Sequence, residues 1–130
     1  MSTPALDAGD KAPAFELPDA EGAKSTLASF KGKKLVLYFY PKDDTPGCTK
    51  EAIDFNGLRA SFTKAGALVV GVSPDSCASH AKFAKKHKLG VTLLADETKK
   101  MLEAYGVWTE KSMYGRKYMG VERTTFLIAP

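Results

Sequence analysis

Lys34-Leu35-Val36-Leu37-Tyr38-Phe39-Tyr40-Pro41-Lys42-Asp43-Asp44-Thr45-Pro46-Gly47-Cys48-Thr49 decides how this chain reads. Leu35 to Tyr40 is an unbroken apolar run, the pattern of a strand covered on both faces in a parallel sheet. Pro41 cannot continue a hydrogen-bonded ladder, so the strand ends there. Thr45-Pro46 then reads as a helix start, with a hydroxyl at the N-cap and a proline ring at the first helical position. Cys48 falls on the third helical position. An N-cap side chain points toward that position and the free N–H groups of the first turn face it, so the Thr45 hydroxyl is predicted to lie beside the Cys48 sulfur. A thiol so placed is biased toward thiolate, the form that attacks electrophiles. By composition alone, an inert buried cysteine is the competing reading.

Outward from this stretch, Ala67-Leu68-Val69-Val70-Gly71-Val72 is a second buried run. Between the two, Ala52, Phe55, Leu58 and Phe62 recur at spacings of three and four, which predicts one helix and a right-handed βαβ unit. A second helix is predicted from Ser76 to His87, a strand at Val91–Ala95, and a helix from Thr98 to Tyr105 stopped by Gly106. Val121-Glu122-Arg123-Thr124-Thr125-Phe126-Leu127-Ile128 reads as one β-branched strand. Asp19-Ala20-Glu21-Gly22 between two short extended segments signals a hairpin. The expected architecture is α/β, a central mixed sheet with helices on both faces, in one domain over residues 1–130.

The chain has 130 residues, 44% hydrophobic and 26% charged, as in an ordinary globular domain. The net charge of +4 comes from small lysine groups interleaved with acids, which predicts a solvated face and no nucleic-acid partner. No apolar run is long enough to span a membrane. Met1–Asp7 has neither a basic nor an apolar leader region, so no secretory signal is expected. Two cysteines in such a chain point to redox or catalytic use in a reducing, cytoplasmic compartment.

Ionising a thiol fully at neutral pH means lowering its pKa from about 8.5 to about 6, roughly 3.4 kcal/mol. A helix N-terminus supplies roughly 0.3–1 kcal/mol, rising to about 2 when partly buried. A cation has to add the rest, and Arg123 is the candidate. With Val121, Thr125 and Leu127 it shares one face of the predicted strand. From sequence alone it is either an edge arginine or one partly buried against an anion.

Pro41-x-x-x-Thr45-x-x-Cys48 resembles the active-site signature of the peroxiredoxins, and Tyr38 to Thr49 resembles their bacterioferritin-comigratory, or Q-type, branch. Gly71-Val72-Ser73-Pro74-Asp75 and Val121 to Ile128 resemble two later segments of the same family, in the same order. The resemblance implies a thioredoxin-like fold and a thiol-dependent peroxidase without metal or organic cofactor. It makes Cys48 the peroxidatic nucleophile, which attacks hydrogen peroxide or an alkyl hydroperoxide and becomes a sulfenic acid. Thr45 and Arg123 would orient the peroxide, and Pro41 would shield the pocket. Thioredoxin or a similar thiol would recycle the enzyme, and a monomer is expected. Relatives continue with a further strand and a terminal helix, so the chain is expected to lack these beyond Pro130.

The resolving cysteine of such relatives falls at positions occupied here by Ile53 or Ala84. Cys77 lies on the same predicted helix as Ala84, two turns earlier, and is the candidate resolving cysteine. Internal resolution, a spare thiol with an external resolver, and resolution between subunits all remain open. An internal bond requires Cα atoms within about 7 Å, hence local unwinding between helices packed 8–10 Å apart. A thioredoxin-type reductase is disfavoured because Cys48 opens no Cys-x-x-Cys. A zinc site from Cys48, Cys77, His80 and His87 lacks a second close pair, and histidines on so lysine-rich a helix are expected at the surface. An inactive thioredoxin-like binding module is the remaining alternative.

Overall fold

The structure is a computed structural model that describes Gly9 and residues 12–129; the leader-free start read at Met1–Asp7 and the end at Pro130 lie outside the described residues. In chain order the elements are β1 (Glu16–Pro18), β2 (Lys24–Thr26), a 3-10 turn (Leu27–Phe30), β3 (Lys34–Phe39), α1 (Pro46–Gly57), α2 (Arg59–Lys64) and β4 (Ala67–Ser73). They continue with α3 (Cys77–His87), β5 (Thr92–Ala95), α4 (Lys100–Ala104), β6 (Trp108–Met113), β7 (Arg116–Val121) and β8 (Thr124–Ile128).

β3 divides the molecule. Its side chains alternate across the sheet with the strand period of two, and Leu35 to Tyr40 are all at most 8% exposed. Leu35, Leu37 and Phe39 join a core with Val70, Val72, Leu94, Met101, Leu102 and Tyr105, beneath α4. Val36, Tyr38 and Tyr40 join a second core with Cys48, Ala52 and Phe83, beneath α1 and α3. Helices therefore cover both faces, and the layering is thioredoxin-like. The sheet order is β5-β4-β3-β8, with β4 parallel to β3, β5 parallel to β4, and β8 antiparallel to β3. β1 and β2 form the hairpin read from sequence.

Four features differ from the sequence reading. The helix expected through Phe62 breaks at Leu58, which is 53% exposed instead of packing inward. Gly57 is a weak helix former, and the flanking residues are tied elsewhere. The Asn56 side chain accepts from the Gly90 amide at 2.6 Å and donates to the Lys88 carbonyl at 3.3 Å, and Arg59 donates to the Gly90 carbonyl at 2.8 Å. The break rotates Leu58 outward while Phe55 and Phe62 stay against the sheet.

Val121–Ile128 is two strands, not one. Val121 ends β7, paired with Trp108, and β8 begins at Thr124, so Arg123 belongs to neither. The β6–β7 hairpin has no counterpart in the sequence reading. Its signal is Tyr114-Gly115, both at positive φ (52° and 76°), the conformation a two-residue hairpin turn demands. Finally, α4 starts only at Lys100, because Lys99 takes a left-handed φ of 63°. Among the described residues no helix is long and apolar enough to cross a membrane.

Since Leu37 is 0% and Leu127 73% exposed, their truncations should diverge. Leu37→Ala is expected to cost about 2–5 kcal/mol and Leu127→Ala less than about 0.5, read as shifts in the denaturant midpoint.

Candidate active site

The loop after β3 is held at each step. The Tyr40 amide donates to the Val72 carbonyl at 3.0 Å, one rung past the strand, and half-buried Pro41 then ends the ladder. The Asp43 amide donates to Asp75 Oδ2 at 2.7 Å. Asp44 adopts a left-handed φ of 61°, a region aspartate tolerates better than most residues. Its carboxylate is fixed by Lys86 Nζ at 2.8 Å and His87 Nε2 at 3.1 Å. Thr45 is the N-cap residue in an extended conformation, Pro46 follows at the first helical position, and the Thr45 carbonyl takes the first helical bond from Thr49 at 2.8 Å.

The helix start thus forms as the sequence predicts, but the Thr45 hydroxyl departs from a capping role. It makes no capping bond and donates instead to the Lys42 carbonyl at 3.0 Å. The cause lies in the Lys42–Asp43 peptide: with its N–H fixed on Asp75, its carbonyl is presented to Thr45.

Cys48 is 2% exposed, within the buried cluster that holds Tyr38, Tyr40, Ala52 and Phe83. Its sulfur is not enclosed by hydrocarbon alone. Arg123 Nη2 donates to Cys48 Sγ at 3.2 Å, and Nη1 donates to Glu51 Oε1 at 3.1 Å. A Cβ on Gly47 would sit 3.4 Å from Nη2, so the guanidinium lies directly over the first turn of α1. The Glu122 amide, donating to the Val107 carbonyl at 2.7 Å, and the Thr124 hydroxyl, donating to the Glu122 carbonyl at 2.9 Å, fix the backbone on either side.

Partial burial pulls the Arg123 pKa down, but bonding to Cys48 and Glu51 outweighs it and leaves it above the ordinary arginine value. Burial pushes the Glu51 carboxyl up, and Arg123 offsets this only in part. Burial likewise pushes Tyr38 well above the ordinary phenol value, and its hydroxyl has no partner among the described residues. A hydrogen bond to a charged group contributes about 1.5–3 kcal/mol, more than the roughly 0.3–1 kcal/mol of an exposed helix N-terminus. Beside this pair, Gly47, Lys50, Glu51, Asp54, Phe55, Leu58 and Arg123 line an open groove of about 470 Å³.

Cys77 stands apart from this arrangement. It opens α3, half-buried, and both cysteines are free thiols. Ala84, not Cys77, packs against the cluster that holds Cys48. The zinc set does not converge: Cys48 bonds Arg123, His87 bonds Asp44, and His80 bonds Asp43 and the Leu94 carbonyl. His80 is also not at the surface. It is 0% exposed, because it lies on the sheet-facing stripe of α3 with Phe83. Sequence reasoning missed His80, Asp43, Asp75 and Glu51 as parts of the site. The available signals were Asp43 inside the quoted loop and the three-residue spacing of His80 from Phe83.

A cysteine in the first turn of a helix, with an arginine donating to its sulfur beside a thioredoxin-like sheet, is an arrangement that suits a thiol-based oxidoreductase. The sequence profile of the AhpC/TSA family matches residues 8–130. Peroxiredoxin Bcp of Bacillus subtilis (strain 168) is 50% identical over 123 residues, which cover 95% of this chain and 78% of that protein. The Xanthomonas campestris bacterioferritin comigratory protein, solved in trapped intermediate and ligand complexes bearing on its alkyl peroxide reduction, superposes with a TM-score of 0.83. It is 45% identical, and the match covers 87% of this chain and 72% of that one. A Xylella fastidiosa PrxQ cysteine mutant superposes with a TM-score of 0.86 at 38% identity, over 98% of this chain and 77% of that one. The chain belongs to the AhpC/TSA family and, within it, to the Bcp or Q-type peroxiredoxins.

Because the guanidinium is the cation that contacts Cys48 Sγ, Arg123→Ala is expected to slow alkylation of Cys48 by iodoacetamide at pH 7 about tenfold or more. The check is the rate of adduct formation by mass spectrometry in a Cys77→Ser background.

Proposed function

We propose that the chain reduces hydrogen peroxide and alkyl hydroperoxides by attack of the Cys48 thiolate on the terminal peroxide oxygen. The contact between Arg123 Nη2 and Cys48 Sγ at 3.2 Å carries this reading. In the step, an S–O bond forms as the O–O bond breaks. Cys48 becomes a sulfenic acid, and the electron pair leaves on the alkoxide or hydroxide, which then takes a proton. Arg123, held by Glu51, has a second donor edge to offer the oxygen on which charge develops. Thr45 orients the peroxide, and Pro41 with the buried Tyr40 shields the sulfur from bulk water. The Xanthomonas relative's alkyl peroxide reduction supports organic hydroperoxides as substrates.

Thioredoxin or a similar thiol reductant returns the sulfenic acid to thiol, in a reducing cytoplasm and on a monomeric enzyme. Cys77 is the internal thiol that can intervene, and for that the first turn of α1 has to unwind. Ala84 packing in the Cys48 cluster where Cys77 does not favours direct attack by the external thiol.

Cys48→Ser is expected to abolish peroxide consumption in a coupled thioredoxin assay. Cys77→Ser should keep the oxidation step within about twofold of wild type, because that sulfur lies outside the Cys48 cluster. A dimedone adduct on Cys77 rather than Cys48 after one equivalent of peroxide would overturn the assignment.

A further inference from the structure

Beneath the active-site loop lies a buried polar cluster that the peroxidase step, as described, does not use. Asp43 is 6% exposed and His80 0%. Asp43 Oδ1 accepts from the Tyr40 hydroxyl at 2.5 Å, and Oδ2 accepts from the Ser79 hydroxyl at 2.9 Å. His80 Nδ1 stands 2.7 Å from the same Oδ2, and Nε2 stands 2.9 Å from the Leu94 carbonyl. A carbonyl can only accept, so Nε2 carries a proton, and a further proton lies between Nδ1 and Oδ2. Asp75 Oδ2 accepts from the Asp43 amide at 2.7 Å and the Ser73 hydroxyl at 2.7 Å. Both oxygens of Asp43 are engaged, so its side chain is fixed on α3 and its amide on Asp75. The peptide between Lys42 and Asp43 therefore has one orientation.

That peptide's other end is the carbonyl to which Thr45 gives its only hydroxyl proton, at 3.0 Å. Any group that meets the Thr45 oxygen must then donate to it. In an alkyl hydroperoxide the one O–H is on the terminal oxygen. We propose that Asp43, His80 and Asp75 are positioning residues for Thr45. They hold the Lys42–Asp43 peptide so that Thr45 presents lone pairs to the hydroperoxide O–H and brings the terminal oxygen onto Cys48. This rests on the peroxidase reading and adds the residues that set its geometry. With the O–H on Thr45, the sulfur bonds to the oxygen that keeps its hydrogen, giving Cys48–SOH. The electron pair of the broken O–O bond leaves on the other oxygen, beside Arg123, as alkoxide.

Two substitutions at one position separate this role from simple core packing. Asparagine carries its amide nitrogen near the place of Nδ1 and retains a donor to Asp43; glutamine carries it near Nε2 and retains only the Leu94 bond. The second-order rates of Cys48 with hydrogen peroxide and with iodoacetamide are measured in wild type, His80→Gln, His80→Asn and Asp75→Ala. His80→Gln and Asp75→Ala are expected to react with peroxide at least about tenfold more slowly, with iodoacetamide rates within about twofold of wild type. His80→Asn is expected to recover the peroxide rate to within about threefold. Equal losses in His80→Gln and His80→Asn, or peroxide and iodoacetamide rates that fall together, would overturn the proposal. So would an unchanged Asp75→Ala, a half-buried position whose variant carries the test if a His80 variant does not fold. Wild type that is alkylated normally yet inert to peroxide would refute the peroxidase reading itself, and this role with it.

Discussion

The contact between Arg123 Nη2 and Cys48 Sγ joins residues 75 positions apart, and much of the architecture serves to make it. β8 pairs with β3, so the chain entering β8 passes the end of β3 where the loop and α1 begin. Phe39 opposite Thr124 sets that register, which leaves Arg123 just beyond the paired strand. One partly exposed guanidinium, bonded to the sulfur and to Glu51, is the charged donor that reaches Cys48.

The same loop is fastened from below. Asp43, Asp44 and Asp75 tie it to α3 and to the turn after β4 through side chains and an amide, with the Asp43–His80 contact buried. Buried polar groups are costly unless satisfied, and Asp43, Ser73 and His80 all have partners, which makes the cluster a rigid support. Such a support restricts the loop ahead of Thr45, so any unwinding of α1 that brings Cys48 to another thiol begins at or after that residue.

Much of this was legible in the sequence. β3 and β4 announced themselves as unbroken apolar runs, and Thr45-Pro46 marked the start of α1 because cap and proline preferences act within a few residues. What stayed hidden was nonlocal. Leu58 has the spacing of a core residue, and only the ties of Asn56 and Arg59 to the Gly90 loop turn it outward. The residues from Val121 to Ile128 read as one β-rich run, yet Trp108 pairs with one end and β3 with the other, which splits the run at Glu122 and Arg123. His80 sits among lysines and reads as solvated until α3 is laid on the sheet. The missing capping bond of Thr45 has the same cause: its hydroxyl's partner is set through Asp75, far along the chain.

The most direct measurement is the second-order rate of hydrogen peroxide reduction by Arg123→Lys, which keeps the positive charge but cannot span Cys48 and Glu51 with one planar fork. A fall of about a hundredfold or more, with the fold intact by circular dichroism, is the expected result. A rate equal to wild type would contradict the account, because then charge near the sulfur, and not the bidentate placement of the guanidinium, would suffice.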